Sequence, residues 1–406
     1  MEKTATETNT LSPALIAIIA VSVGVLVANI YYAQPLIVSI GSSIGVGTAL
    51  SGSLVTVTQI AYGAGLFFLV SLADIVENRR LVLSVMGVVI LSLLGIAMSH
   101  SAATFFIASL FLGFCSPSVQ ILLPYVAHHT PPERRGRVVG IVMAGLLSGI
   151  MLARPASLFI AGYFGWRTVF FVAAALMMVT GLALARAMPR YQPKTGHRYG
   201  QVLASMIGIL RDRPPVRWRT AYQGLMFFAF NMFWTTVPIF LAQKFSLSEQ
   251  AIALFALAGA GGALAAPIAG HLADRGYVGV ATGGAAAVLG LSFLGTIGVA
   301  GLHGLIWLAV LAVLIDAAVQ VNQVVGQNVI FDVPPEIRGR VNAIYMTLVF
   351  SCGALGSLIG TLLYAESGWR AAAICGAVVG LLGFSLQLVE RFLANKKGVA
   401  SVRHAD

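Results

Sequence analysis

The chain has 406 residues, of which 58% are hydrophobic and only 10% are charged. Soluble proteins contain about 45–50% apolar and about 25% charged residues, so this composition excludes an ordinary soluble protein and indicates that lipid surrounds most of the chain. The formal net charge of +11 is also compatible with nucleic-acid binding, and the positions of the basic residues decide between the two interpretations.

Twelve apolar segments follow one another along the sequence. A helix of about 20 residues crosses the roughly 30 Å hydrocarbon core of a membrane, so each segment predicts one transmembrane helix. The segments are residues 13–36, 48–70, 81–99, 103–126, 138–162, 168–188, 221–242, 250–271, 279–299, 304–328, 341–364 and 371–392. The polar stretch 189–219 separates the first six from the last six and is predicted to link two bundles.

The two halves share short sequences at a constant distance. Residues 131–138 (Pro-Pro-Glu-Arg-Arg-Gly-Arg-Val) return with one substitution as residues 334–341, and the triplet Gly-Trp-Arg at 165–167 returns at 368–370, each 203 residues later. A repeat of half the chain length in a membrane protein is typical of transporters built from two parallel bundles. We therefore predict an all-α membrane protein with two pseudo-symmetric six-helix bundles. Its parts are an N-terminal bundle (1–188), a cytoplasmic linker (189–219), a C-terminal bundle (220–395) and a cytoplasmic tail (396–406).

Basic residues concentrate on one side of the predicted helices. If the amino terminus is cytoplasmic, 21 of the 25 lysines and arginines lie in the tails, the linker and the loops on the cytoplasmic side. Cytoplasmic loops carry an excess of Lys and Arg, so the sequence predicts a multi-pass protein of the bacterial inner (cytoplasmic) membrane with both termini in the cytoplasm. The net charge thus reflects membrane topology, and no nucleic-acid partner is predicted.

The linker contains an amphipathic pattern. Val202, Met206, Ile209 and Leu210 lie on one side of a helical projection, and basic residues follow them. Helices of this kind lie in the membrane interface with their apolar face toward lipid. We therefore expect a helix on the cytoplasmic surface of the membrane between the two bundles.

Several kinds of chemistry lack a recognisable motif. The three cysteines, Cys115, Cys352 and Cys375, have no C-x-x-C spacing, so neither a disulfide framework nor a metal site is predicted. No G-x-x-x-x-G-K-[ST] or H-E-x-x-H motif occurs, and no apolar segment contains a pair of carboxylates, which argues against ATP hydrolysis and against an enzyme. No cofactor is expected, and a membrane receptor is a remote alternative because the loops are too short for a soluble receptor domain.

Two ionisable side chains fall inside the apolar segments, Arg154 in the fifth and Asp316 in the tenth. A charge at the bilayer centre costs about 2.5–3.5 kcal/mol on insertion scales, so both are candidate proton-coupling residues. Burial disfavours a charged carboxylate, whereas a guanidinium nearby favours it, and an acid between these influences can exchange a proton as access alternates. A purely structural ion pair or hydrogen bond is the alternative for both residues.

Glutamines follow Asp316 along one face of the tenth segment. Gln320, Gln323 and Gln327 stand 4, 7 and 11 residues after it, which at about 3.6 residues per turn places four polar side chains on one stripe. A seam of amides between helices would need many hydrogen-bond partners. We therefore predict that the stripe faces a water-filled or ligand-filled cavity.

Further polar positions correspond between the two halves. Gln120 in the fourth segment corresponds to Gln323 at the offset of 203 residues. The other positions that recur in a similar way are Asn29 and Tyr32 in the first segment and Asn231 and Trp234 in the seventh. Symmetry places them around one central substrate cavity, although aromatic residues also pack in cores and amides also bridge helices.

The loops after the second and eighth segments share a motif. Residues 71–80 read Ser-Leu-Ala-Asp-Ile-Val-Glu-Asn-Arg-Arg, and residues 270–276 read Gly-His-Leu-Ala-Asp-Arg-Gly. Both resemble the G-x-L-a-D-r-x-G-r-[RK] loop of the major facilitator superfamily, in which an acidic residue caps a neighbouring helix and contacts basic residues in one conformation. The residues to which the resemblance gives gating roles are Asp74, Arg79, Arg80, Asp274 and Arg275.

Within that superfamily, the chain resembles the bacterial drug and metabolite efflux branch. The resemblance rests on residues 29–36 (Asn-Ile-Tyr-Tyr-Ala-Gln-Pro-Leu), on residues 151–154 (Met-Leu-Ala-Arg) and on the stripe that begins at Asp316. It implies a monomer in a lipid bilayer that exports a small organic compound in exchange for protons by alternating access.

The chain departs from this branch at two places. Ser109 stands where many proton antiporters carry an arginine, and the fifth segment retains only Gly140, Gly149, Ala153 and a displaced Pro155 of the antiporter pattern. An importer or facilitator of a small metabolite is therefore the alternative function. The small residues of the fifth segment also favour close packing against the glycines of the eighth.

Overall fold

The computed structural model describes residues 11–73, 75–192 and 198–402, and within these ranges all regular structure is helical. The α-helices are α1 (Pro13–Ala28), α2 (Ile37–Ile44), α3 (Ser53–Leu72), α4 (Asn78–Ala97), α5 (Ala102–Cys115), α6 (Val119–His128), α7 (Pro132–Phe164), α8 (Trp166–Ala187), α9 (Tyr199–Asp212), α10 (Pro214–Phe245), α11 (Glu249–Gly259), α12 (Ala266–Asp274), α13 (Val278–Gly295), α14 (Gly301–Ile330) and α15 (Pro335–Val402). The all-α architecture predicted from the apolar segments is therefore confirmed.

The twelve predicted segments are all helical, but several depart from simple rods, including the fourth, which is divided into α5, a 3-10 turn at Ser116–Ser118 and α6. In the described ranges, nine stretches are long and apolar enough to cross a membrane. The first segment consists of α1 and a 3-10 turn at Gln34–Leu36, and α2 continues beyond its predicted end. The eighth is divided into α11, a 3-10 turn at Ala260–Ala265 and α12, and the last two are the arms of α15 before and after Gly368.

The repeated Gly-Trp-Arg triplet begins with a glycine that ends one helix and starts the next. Gly165 has φ 82° and ψ 156°, and Gly368 has φ 69° and ψ −169°. Only glycine adopts this backbone conformation at low cost. The tryptophan that follows is buried in each half, and the indole N–H of Trp369 donates to the carbonyl oxygen of Thr296 at 3.2 Å. The repeat thus marks the sharp turn between the last two helices of each bundle.

Glycines allow α1 and α7 to pack backbone to backbone. A Cβ atom at Gly149 would clash with the backbone of Gly24, and one at Gly145 would clash with Ala20. The fifth segment does contact the eighth, through α7 and α11, but Gly145 and Gly149 themselves pack against α1. Gly262, in the turn that divides the eighth segment, instead packs against α14, where an added Cβ would clash with the Cβ of Asp316.

The linker is helical for most of its described length and contacts both bundles. Its helix α9 was predicted, but Val202 and Met206 are fully buried against protein, so this part of its apolar face does not meet lipid. The hydroxyl of Tyr199 donates to the carbonyl oxygen of Phe68 at 2.9 Å, and that of Ser71 donates to Met206 Sδ at 3.2 Å. We call the end of the molecule at which α9 lies the linker end.

The helical boundaries differ from the predicted linker and tail. Helix α10 begins at Pro214, inside the predicted linker, and the backbone of α15 continues to Val402, inside the predicted tail. Residues 193–197 of the linker lie outside the described part of the chain.

The two bundles are joined at the end opposite the linker, which we call the far end. The amide N–H of Gly52 donates to Thr361 Oγ1 at 3.2 Å, and the hydroxyl of Thr56 donates to the carbonyl oxygen of Ala354 at 2.9 Å. A second contact joins α7 and α11, where Gln250 Nε2 donates to the carbonyl oxygen of Gly162 at 2.8 Å. These bonds connect backbone to side chain, so they require close approach of the helices from both halves.

Candidate functional site

A cavity of about 300 Å³ lies between the two bundles. Helices α1, α3, α6 and α7 of the first half and α10, α11, α14 and α15 of the second contribute to its wall. The predicted residues that line it are Gln120, Arg154, Asp316, Gln320, Gln323 and Gln327. It extends from Arg154 and Asp316 to Phe331, the residue that ends α14 near the linker end.

Arg154 of α7 is 5% exposed and is held mainly by aromatic rings. Its guanidinium carbon lies 5.0 Å from the ring centroids of Tyr31 and Phe230 and 4.8 Å from that of Trp234. Such cation–π contacts stabilise a desolvated guanidinium. Its Nε donates to Gln34 Oε1 at 3.0 Å, whereas Nη2 is buried without a hydrogen-bond partner.

Trp234 connects the two charges of the cavity. Its indole N–H donates to Asp316 Oδ1 at 2.7 Å, while its ring face contacts the guanidinium of Arg154. The ion pairs in the described part of the chain are Arg80–Glu77 and Arg219–Glu390, so Arg154 and Asp316 are not directly paired. The indole ring of Trp234 therefore contacts both the carboxylate and the guanidinium. Each of these charged groups still has hydrogen-bonding atoms that no described residue uses.

Amide side chains occupy the half of the cavity toward the linker end. The stripe on α14 begins at Asp316 and continues through the three glutamines that the helical spacing predicted. Across the cavity, Gln120 Oε1 accepts a hydrogen bond from Asn342 Nδ2 at 3.3 Å. Gln323 Nε2 lies 3.6 Å from Met346 Sδ, which is a weak acceptor. These amides thus make few strong bonds to protein and can bind water or ligand.

A second polar network closes the cavity toward the far end. Gln34 Nε2 lies 3.2 Å from both Asn231 Oδ1 and Thr235 Oγ1, and Gln59 Nε2 donates to the same Asn231 oxygen at 2.5 Å. Thr235 is also hydrogen-bonded to Ser357 at 2.9 Å. Since Gln34 bonds Arg154 as well, the network connects the guanidinium to helices of both bundles.

Four residues of the predicted cavity group do not line it. Asn231 and Trp234 lie just behind the wall, in the network and beside Asp316. Tyr32 is buried in the core, and Asn29 is buried with both amide atoms lacking a hydrogen-bond partner. Sequence reasoning missed several side chains that line the cavity or bond its charges, namely the polar residues Tyr31, Gln34, Gln223 and Asn342 and the aromatic residues Tyr62, Phe227, Phe230, Phe331 and Phe350.

The gating loops are only partly described. Asp74 lies outside the described residues, so its predicted role stays a prediction. Glu77 accepts the backbone N–H of Arg79 at 3.0 Å and pairs with Arg80 at 3.6 Å, which caps the start of α4. The guanidinium of Arg79 also donates to the carbonyl oxygen of Ala185 on α8. Glu77 stands at the second glycine position of the loop motif, and it supplies the local cap.

The corresponding loop of the second half shows a simpler arrangement. Asp274 ends α12 and Arg275 follows it, and both side chains are exposed. The described residues show no ion pair at either of them. Their gating role stays a prediction.

The expectation of two ionisable groups at membrane depth was incomplete. Arg219 was counted in the linker, but it lies inside α10 and is 5% exposed. It pairs with Glu390 of α15 at 3.0 Å and donates to Thr282 Oγ1 at 2.8 Å, and Tyr222 donates to the same glutamate at 2.7 Å. The pair has its own partners within the second bundle, which points to a structural role.

Metal binding has no candidate site in the ranges described here, since no group of three or more His, Cys, Asp or Glu side chains is arranged to hold an ion. The polar cavity between the bundles is therefore the arrangement that can bind a solute, with one acid, one base and several amides along an otherwise apolar wall.

Comparison with known proteins agrees with this architecture. Residues 16–300 match the family model of the Major Facilitator Superfamily. The chain is 38% identical over 381 residues to the uncharacterized transporter YgaY of Escherichia coli O157:H7, covering 92% of this chain and 94% of that protein. It is 32% identical over 370 residues to a probable transporter of Streptomyces coelicolor, covering 89% and 84% of the two chains.

A solved structure shows the same fold. A mutant of the nucleoside transporter NupG superposes with a TM-score of 0.74 at 13% identity, covering 92% of this chain and 99% of that one. The chain belongs to the major facilitator superfamily and is a multi-pass membrane transporter of a small molecule.

Proposed function

We propose that this transporter exports a small organic compound across the bacterial inner membrane in exchange for protons. The observation that supports this most is the position of Asp316, which faces the cavity close to Arg154 without pairing with it. A carboxyl in such a place can hold a proton when the cavity faces one side of the membrane and release it when the cavity faces the other.

The orientation follows from the distribution of basic residues. The linker end carries the linker and the loops that contain most lysines and arginines, so the positive-inside rule makes it cytoplasmic. In this orientation the cavity lies on the cytoplasmic side of the Gln34–Asn231 network, and the bonds at Gly52 and Gln250 close the periplasmic side. This arrangement supports a conformation that takes up substrate from the cytoplasm.

Alternating access requires the periplasmic contacts to open while the cytoplasmic ones close. The bonds between the bundles at the far end join only a few side chains to backbone atoms, for example Thr56 to Ala354 and Gln250 to Gly162. The contact between Gln120 and Asn342 at 3.3 Å is a starting point for closure on the cytoplasmic side. Rocking of the two bundles about the central site fits these contacts.

One relative supports the direction of transport. The purine ribonucleoside efflux pump NepI of Salmonella enteritidis is 21% identical over 185 residues, covering 44% of this chain and 46% of that protein. Its name describes export, and the similarity covers less than half of each chain, so the charges in the cavity remain the principal support.

The export proposal is tested with inside-out vesicles that contain the transporter and a trapped pH-sensitive dye. Respiration acidifies the vesicles, and a panel of toxic compounds and metabolites is then added outside. A transported compound should release protons in wild-type vesicles and not in vesicles without the transporter. Absence of any such response across compounds to which the transporter confers resistance in growing cells would overturn proton exchange.

The alternative is a facilitator or importer. Ser109 of α5, which stands where many proton antiporters carry arginine, is buried with its hydroxyl unpartnered. Without that arginine, proton coupling depends on Arg154 and Asp316 alone. A facilitator would show counterflow of substrate in both directions with no response to an imposed pH gradient.

A further inference from the structure

We infer that the cavity binds a zwitterionic compound, with an anionic group on Arg154 and a cationic group on Asp316. This inference rests on the proposed export function and names the chemical class of its substrate. It starts from two opposite charges that face one cavity but do not neutralise each other directly.

Arg154 has more hydrogen-bonding capacity than the protein uses. A guanidinium has five N–H donors and stays charged in proteins. In the described structure Arg154 makes one hydrogen bond, from Nε to Gln34, and its other contacts are the faces of three aromatic rings. A buried cation with free donors on its outer nitrogens is a binding site for a carboxylate, which pairs with guanidinium through two parallel bonds.

Asp316 has unused hydrogen-bond acceptor capacity, which complements the unused donors of Arg154. Trp234 donates to one of its oxygens at 2.7 Å, and the second oxygen accepts no hydrogen bond from a described residue. An ionised carboxylate has about four acceptor sites. A protonated amine of a ligand, which has up to three donors, matches the second oxygen and the amides that follow on the stripe, beginning with Gln320.

The charge of the ligand follows from considering both residues together. A simple cation on Asp316 would be repelled by the fixed charge of Arg154 in a cavity of low dielectric constant. A simple anion on Arg154 would be repelled by ionised Asp316 and would bind best when that residue is protonated, so the proton and the anion would travel in the same direction. A zwitterion satisfies both charges, and its amine competes with the proton for Asp316.

That competition fits export by proton exchange. When the cavity faces the cytoplasm, a zwitterion binds the ionised form of Asp316. When it faces the more acidic periplasm, a proton on Asp316 removes the partner of the amine and releases the ligand. The walls around Tyr31, Tyr62 and Phe350 are aromatic, so the rest of the ligand is apolar or aromatic.

The test uses matched compounds that differ only in charge. The probes are leucine, phenylalanine and tryptophan, their N-acetyl derivatives, which are anions, and their amides, which are cations. Binding to the purified full-length transporter is measured at neutral pH by isothermal calorimetry. At least one amino acid should bind about tenfold or more tightly than both of its single-charge derivatives, because each lost ionic hydrogen bond costs about that much.

Two charge-removing variants and two charge-conserving controls test which residue binds which group of the ligand. Arg154→Gln should remove the preference over the amide, whereas Asp316→Asn should remove the preference over the N-acetyl derivative. Arg154→Lys and Asp316→Glu keep the charges and should retain the zwitterion preference. The inference is overturned if the amino acids bind no better than their single-charge derivatives, if none of the nine compounds binds, or if both charge-removing variants keep the wild-type order.

Failure of this test leaves the export proposal separately testable. If a single-charge probe binds best while compounds still drive proton release in inside-out vesicles, the substrate class is wrong and proton exchange stands. If no compound releases protons, the proposed function itself fails. Variants that do not fold are recognised by their gel-filtration profile. In that case the relative affinities of the nine compounds for the wild-type protein test the inference.

Discussion

Trp234 of α10 donates its indole N–H to Asp316 of α14 at 2.7 Å, although the two residues are separated by 82 positions in the sequence. This bond ties the acid of the cavity to the helix that carries the polar network closing the far end. Because α10 also supplies Asn231 and Thr235 to that network, the bond connects the carboxyl to the contacts that close the far end.

Replacing Trp234 by phenylalanine should impair transport. The ring still covers the guanidinium of Arg154, but the only protein donor to Asp316 among the described residues is lost. A hydrogen bond to a charged group contributes about 1.5–3 kcal/mol, so we expect a fall of about tenfold or more in proton-coupled flux. Flux per molecule in proteoliposomes measures this. The control is Trp307→Phe on the exposed face of α14, and equal flux in both variants would contradict the expectation.

Gly262 should not tolerate a side chain. A methyl group there would clash with the Cβ of Asp316 and come within 2.6 Å of the backbone nitrogen of Ala317. Overpacking of this kind costs about 1–3 kcal/mol, so Gly262→Ala should lower the thermal stability of the purified protein and reduce transport. Gly270→Ala is the matched control, because a Cβ at that position meets nothing within 4 Å. Similar melting curves for the two variants would show that the contact is absent.

The two glycines of the repeated triplet should be equally sensitive to substitution. Gly165 and Gly368 have positive φ in a region that other residues occupy only at a cost of about 1–3 kcal/mol. We expect Gly165→Ala and Gly368→Ala each to lower the unfolding temperature, and Gly339→Ala, which has open space around it, to leave it unchanged. A large effect of only one triplet glycine would argue against a shared turn in the two halves.

The pair of Arg219 and Glu390 should contribute to stability and not to proton coupling. Glu390→Gln removes the negative charge 3.0 Å from a buried guanidinium, and breaking a buried pair costs up to about 3–5 kcal/mol. Replacing both residues with Met and Leu should recover part of the loss, since neither charge is then buried alone. Thermal unfolding measures the stability, and the pH dependence of flux in the surviving protein should match wild type. A shifted pH dependence would give this pair a role in coupling.

The parts of the fold that repeat or follow helical spacing could be predicted from the sequence. The apolar segments located the helices, and the spacing from Asp316 to Gln327 placed four side chains on one wall of the cavity. The repeated Gly-Trp-Arg triplet identified equivalent positions, although its role in ending a helix needed the backbone angles. These features depend on neighbours along one helix or on internal symmetry.

The remaining features depend on contacts between distant parts of the chain. Nothing in the local sequence indicates that Gln34 bonds Arg154. Nor does it indicate that Arg219, which was assigned to the linker, forms a buried ion pair with Glu390. The contact of Gly145 and Gly149 with α1 could not be predicted for the same reason, since its partners Ala20 and Gly24 lie in a different helix far earlier in the chain. The apolar face of α9 suited lipid or protein equally, and only packing decided between them.

The central claim is that Asp316 couples substrate movement to protons, and one measurement tests it most directly. Exchange of a transported compound is measured in proteoliposomes with and without an imposed pH gradient for wild type, Asp316→Asn and the control Asp332→Asn, which lies outside the cavity beyond the end of α14. We predict that Asp316→Asn needs a higher substrate concentration for exchange, because a carboxylate that contacts the substrate is lost, and that its exchange no longer responds to a gradient, while wild type and the control both respond. A gradient that still drives transport in Asp316→Asn would contradict the mechanism.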